Sequence, residues 1–131
     1  MKRVLSLLLI LVVVCSIASV ALASEAEVLS VFGARFSSST SCTGGTVFGD
    51  VLASQLPGET VRIYVYLQVK TASGSWKTKA TAYGQGSKTV TASCTAISGN
   101  SYRVKYTYEW YDSAKNLLES GYGYSNVIQV P

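Results

Sequence analysis

The stretch TVRIYVYLQVK, Thr60 to Lys70, alternates without a break. A period of two puts Val61, Ile63, Val65, Leu67 and Val69 on one side of a pleated strand, and Arg62, Tyr64, Tyr66, Gln68 and Lys70 on the other. A second stretch, SYRVKYTYEWY from Ser101 to Tyr111, sets Tyr102, Val104, Tyr106, Tyr108 and Trp110 against Arg103, Lys105, Thr107, Glu109 and Tyr111. Its apolar side is heavy with rings, which predicts a thick aromatic layer in the core with Trp76 or Trp110 as its largest member.

Beyond Ser24 no long window repeats apolar residues at helical spacing, and Val, Thr, Tyr, Ser and Gly dominate. These residues suit pleated, half-buried surfaces and turns, so the pattern is all-β. Seven strands are predicted, at Val28 to Ser37, Thr46 to Ala53, Thr60 to Lys70, Trp76 to Tyr83, Lys88 to Cys94, Ser101 to Tyr111 and Glu119 to Val130. Between them lie the turn signals Gly44-Gly45, Pro57-Gly58, Ser73-Gly74, Gly84 to Ser87, Ser98 to Asn100 and Asp112 to Asn116. Seven short strands at this spacing predict a two-sheet antiparallel sandwich of immunoglobulin or fibronectin type III character. In that order the second and fifth strands are antiparallel neighbours, and the third and sixth share a sheet.

The first residues change the accounting. Lys2 and Arg3 precede an apolar run from Leu7 to Cys15, and Ala21-Leu22-Ala23 forms a small-residue end. This is the pattern of a secretory signal peptide over 1 to 23, with one domain over 24 to 131. Cleavage there leaves nine basic against seven acidic residues, a net charge of +2. So small a charge supplies no footprint for nucleic acid, and no membrane anchor is expected after cleavage. Cys42 and Cys94 remain, and an even count in an exported chain predicts a disulfide between them. It would close a loop of about fifty residues, worth about 4 kcal/mol in the chain-entropy model.

The run from NSYRVKYTYEW through LLESGYGYSNVIQV resembles the last two strands of a fibronectin type III domain. Cys42, TVRIYVYLQ with the Gly74-Ser75-Trp76 turn after it, YRVK, and Glu119-Ser120 leading into a Tyr-Ser strand together resemble a family of small, uncharacterised secreted proteins of Gram-positive bacteria. The resemblance implies export and a β-sandwich. Its motifs are packing motifs, and they carry no catalytic residues.

Candidate chemistry is sparse. The chain has no histidine, and with both cysteines paired the common nucleophile and base arrangements are missing. Neither metal site nor cofactor is expected. Asp50, Glu59, Glu109, Asp112 and Glu119 read as solvated acids at strand ends and turns, in no calcium-loop spacing and not as a glycosidase pair. The outward faces of the third and sixth strands are more informative, because Arg62, Tyr64, Tyr66, Arg103, Lys105 and Tyr111 would share one surface. Rings beside cations can stack on sugars or meet an anionic polymer, and equally can be cross-strand pairs that only stabilise the sheet. The expected function is a non-catalytic secreted or cell-surface interaction domain that binds cell-wall polymer, glycan or another protein through this face. The alternative is a small diffusible effector, an inhibitor or antibacterial protein, acting through its loops. In the final strand, Gly121 and Gly123 alternate with Tyr122 and Tyr124, which predicts a bulge or the close approach of another backbone.

Overall fold

The computed structural model describes residues 35 to 131, so the signal-peptide reading and most of the first predicted strand lie outside the described residues. Eight strands are present among them: β1 Phe36–Thr43, β2 Thr46–Ala53, β3 Thr60–Lys70, β4 Trp76–Gln85, β5 Val90–Thr95, β6 Ser101–Tyr111, β7 Leu117–Tyr124 and β8 Ile128–Gln129. They form two sheets of antiparallel pairs, the smaller in the order β1-β2-β5 and the larger in the order β4-β3-β6-β7, with β8 beside β6. The all-β sandwich is as expected, and so are the pairings of β2 with β5 and β3 with β6. A constant-type immunoglobulin sandwich places its fourth strand in the sheet with the first, second and fifth; here β4 joins β3 in the larger sheet.

The two alternating strands carry the core. Val61, Ile63, Val65 and Leu67 of β3 are fully buried, as are Val104 and Trp110 of β6, with Tyr102, Tyr106 and Tyr108 nearly so. Facing them are Val47, Val51 and Ala53 of β2 and Val90 and Ala92 of β5. Phe36 closes one end of this layer, its ring 4.4 Å from Tyr108, 5.2 Å from Tyr106 and edge-on to Trp110 at 5.5 Å.

Three sequence expectations change here. Among the described residues the first strand runs over Phe36–Thr43, past the predicted end at Ser37, because Gly44 and Gly45, both at positive φ, make a two-residue hairpin turn that folds FSSSTSCT back onto β2. The last predicted strand is split in two: Ser125 still holds to β6, its amide donating to the Val104 carbonyl at 3.0 Å and its Oγ accepting from the Val104 amide at 2.8 Å, whereas the Asn126 side chain crosses to β1. Asn126 Oδ1 accepts from the Thr40 amide at 3.0 Å and its Nδ2 donates to the Thr40 carbonyl at 3.2 Å, so this side chain pairs with β1 as a strand would.

The disulfide is the third. Cys42 and Cys94 are free thiols, and the register gives the reason. Cys42 lies within β1 opposite Val47, and Cys94 lies within β5 opposite the same Val47 from the other side. The start of β2 does adjoin the end of β5, but β2 itself separates the two cysteines. Two strand spacings put their Cα atoms about 10 Å apart, beyond the roughly 7 Å that a disulfide spans.

Candidate functional site

The outward face of the larger sheet collects every residue singled out for it in the sequence. Arg62 is exposed, and Tyr64, Tyr66, Arg103, Lys105 and Tyr111 are each part-buried on that one face. The register arranges them in rows across four strands. Tyr83, Tyr64, Thr107 and Tyr122 form one row, and Thr81, Tyr66, Lys105 and Tyr124 form the next. Beyond these come Thr78, Gln68 and Arg103 on one side and Gln85, Arg62, Glu109 and Ser120 on the other.

Reading β3 and β6 alone misses half of this surface. Tyr83 of β4 packs on Tyr64 at 4.9 Å, and Tyr122 and Tyr124 of β7 meet edge-on at 5.8 Å. Trp76, a candidate for the core, is instead on this face, and Trp110 alone fills the core position. The missing signal was present in GYGYS, Gly121 to Ser125, where small residues alternate with tyrosines: the small set faces in and the rings face out.

Gly121 and Gly123 are explained by side chains and not by another backbone. They lie opposite Tyr108 and Tyr106, whose phenols extend under β7. A Cβ at 121 would come within 2.8 Å of Tyr108 Oη, and one at 123 would collide with the phenol of Tyr106. Glycine at both positions therefore lets two long buried rings and two exposed rings share a narrow strand.

The cations differ in what they have left to offer. The Arg103 guanidinium lies between Trp76 and Tyr124, 4.2 Å and 4.3 Å from the ring centres, and its Nε donates to Gln68 Oε1 at 3.0 Å. It is held by the sheet, and its part is to organise the surface. Lys105 lies 5.7 Å from the centre of the Tyr122 ring and Arg62 lies 5.1 Å from that of Tyr111. Neither makes an ion pair among the described residues, where the salt bridge is Arg35 to Glu59. Both retain donors for an anion.

The smaller sheet provides a control. Its outward positions are Ser37, Ser39, Ser41 and Thr43, then Thr46, Phe48, Asp50 and Leu52, then Thr91, Ser93 and Thr95. It is rich in hydroxyls and has no cation, whereas the larger sheet's face carries Arg62, Lys70, Arg103 and Lys105. Solvation alone gives no reason for such asymmetry.

The carboxylates turn out to be less uniform than solvated acids. Glu59 sits under the core, bridged to Arg35 at 2.8 Å and accepting from Trp110 Nε1 at 2.9 Å and the Leu56 amide at 3.2 Å. Burial works to raise its pKa, yet the bonds from Arg35, Trp110 and Leu56 together with the Arg35 charge hold it below the ordinary carboxylate value. Glu109 accepts a bond from the Tyr111 hydroxyl, which raises the pKa of that phenol. Asp112 closes its own turn through the amides of Ala114 and Asn116, and these bonds lower its pKa. Glu119 lies on the inward side of β7, and burial reinforced by its charge pushes the Tyr108 phenol up to about 12. Glu109 and Glu119 thus occupy opposite faces of the sheet, and Asp50 lies on the other sheet.

No family model matches the chain, and no curated protein matches it. Among solved structures, the crystal structure of Ruminococcus gnavus beta-glucuronidase is similar over 73% of this chain and 15% of that one, with 12% identity and a TM-score of 0.36. The matched region is thus a small part of a much longer enzyme.

Proposed function

We propose that this protein is a non-catalytic interaction domain, secreted or held at the cell surface as its leader and its resemblance to small Gram-positive secreted proteins suggest. Its ligand is an anionic wall polymer or glycan, bound on the outer face of the larger sheet. One observation carries the reading: the register brings Tyr64, Tyr66, Tyr83, Tyr122 and Tyr124 into two adjacent rows that also contain Lys105, with Arg62 in the next row. Rings stack on the apolar faces of sugars, and uncommitted cations favour a chain that carries negative charge. Cross-strand pairing accounts for Arg103, and it leaves the uncommitted donors of Arg62 and Lys105 without a role.

The loops supply less support for the diffusible effector. Asp112 to Asn116 and Thr71 to Ser75 bond mainly within themselves, through the Asp112 carboxylate and the Thr71 hydroxyl. Such loops have few donors left for a partner.

Retention on insoluble acidic and neutral polysaccharides is the direct test. The protein is expected to be retained by the acidic ones and released as salt rises, because exposed charges are screened beyond a Debye length of about 8 Å at physiological ionic strength. Absence of retention on the acidic polysaccharides overturns the reading.

A further inference from the structure

At one corner of the outer face, Thr60, Arg62, Gln85, Tyr111 and Lys115 line a pocket of about 240 Å³. Strand ends and a turn bring them together. Thr60 and Tyr111 are register partners, Arg62 pairs with Gln85, and Lys115 enters from the turn after β6. Lys115 is held at φ +64, a left-handed conformation unusual for a residue with a side chain, and its amide donates to the Asp112 carbonyl at 3.1 Å. The turn thus places this lysine beside Arg62.

Two carboxylates adjoin these residues, Glu109 as the register partner of Arg62 and Asp112 next to Tyr111, and both already accept hydrogen bonds. Glu109 is bonded by the Tyr111 hydroxyl, and Asp112 accepts from two amides and the Asn116 side chain. Among the described residues neither Arg62 nor Lys115 has a carboxylate oxygen within 4.0 Å. Two cations, the Thr60 and Tyr111 hydroxyls and a side-chain amide therefore line one pocket whose lining contains no carboxylate.

We infer that this pocket is an anion subsite, which seats a single carboxylate or phosphate group between Arg62 and Lys115 with Thr60 and Gln85 donating to its oxygens. The inference rests on the proposed polymer-binding face and deepens it: rings hold the chain, and the corner pocket reads its charged group. Arg62 offers the forked donors suited to a planar carboxylate or a phosphate, and Lys115 offers a mobile point charge.

Titration of the isotope-labelled protein with small probes separates the sources of the anion. Methyl glucuronide carries the carboxylate, glycerol phosphate carries the phosphate, and methyl glucoside is neutral. One or both anions should shift the amide resonances of Thr60, Gln85 and Lys115 at millimolar concentration, and the more strongly bound identifies the group. Arg62→Gln and Lys115→Gln should each weaken that binding about tenfold, the loss associated with one charge-assisted hydrogen bond. Lys77→Gln, which removes a charge from β4 outside the pocket, should leave it unchanged. Shifts equal to those with methyl glucoside, or an equal loss with Lys77→Gln, overturn the subsite. If neither anion binds while acidic polysaccharide still retains the protein, the pocket fails and the sheet face stands; anion binding without polysaccharide retention fails the face and keeps the pocket.

Discussion

Cys42 and Cys94 share Val47 as their cross-strand partner, one from β1 and the other from β5. Both point to the inner face at an open end of the sandwich, and neither can reach the other across β2. Native, non-reduced protein spanning residues 24 to 131 is expected to contain two titratable thiols. Cys42 is exposed and should react first with a thiol reagent. Cys94 should lag, because burial raises its pKa, against the opposing charge of Lys79, and so lowers its thiolate fraction. Replacing Lys79 by Gln should slow Cys94 further. Native protein without free thiols would require β1 to leave its place beside β2.

A second relationship, between Gly123 and Tyr106, predicts an uncommon sensitivity in an edge strand. Gly121→Ala and Gly123→Ala add one methyl group each, yet each methyl lands against a buried phenol. The Tyr106 and Tyr108 rings are held by Phe36 and cannot simply swing aside. Each substitution should cost about 1 to 3 kcal/mol, the range for overpacking a core, with the larger loss at 123. Denaturant midpoints measure this directly. A loss below the spread of ordinary surface substitutions would mean that the rings do not lie beneath β7.

How much of this was legible in the sequence depends on burial. In β3 and β6 one face is buried along the whole strand, so the period of two names both the core and the outer surface, and the register follows from pairing the two patterns. In β1 the inward positions are Phe36, Ser38, Thr40 and Cys42, which contain one large apolar residue, so no alternation marks the strand. Its identity comes from the Gly44-Gly45 turn and the ladder to β2. Trp76 and Trp110 have the same chemistry, and only the shift in register between Leu67 and Gln68, together with Arg103, decides that the first lies outside. The corner pocket was half visible: Arg62 and Tyr111 were candidates, but Lys115 is remote from Arg62 in sequence and joins it only through the turn.

Glu59 makes stability dependent on acid pH. Its folded pKa lies below the unfolded value of about 4.3. A depressed carboxyl contributes stability that is present above the unfolded pKa and lost as pH falls through the folded one. The denaturation midpoint should therefore drop below about pH 4.3. Glu59→Gln should flatten that dependence while lowering stability at neutral pH, since the ion pair with Arg35 is lost. Trp76→Phe leaves Trp110 as the sole tryptophan, and its emission should shift over the same acid range as the bond to Glu59 is lost. An unchanged acid limb in Glu59→Gln would place the dependence on other carboxylates.

Neighbouring residues of β3 provide the sharpest comparison between core and surface. Val65 is fully buried, whereas Tyr64 and Tyr66 on either side of it face outward and are only part-buried. Val65→Ser removes apolar surface from the centre of the sandwich and leaves a hydroxyl to satisfy, so it should cost about 2 to 4 kcal/mol. Tyr64→Ser with Tyr66→Ser keeps the inward set intact. It does break the ring pair between Tyr64 and Tyr83, and a loss of about 1 kcal/mol is expected from that contact. Retention on acidic polysaccharide should respond in the opposite order. The double tyrosine variant should lose about 2 kcal/mol of binding, as removal of aromatic anchors does, while Val65→Ser should bind normally wherever it remains folded. Thermal denaturation and retention measured on both variants separate the two roles. If the double variant loses as much stability as Val65→Ser and binds undiminished, the outer rings serve the sheet, and the polymer-binding face must be sought elsewhere.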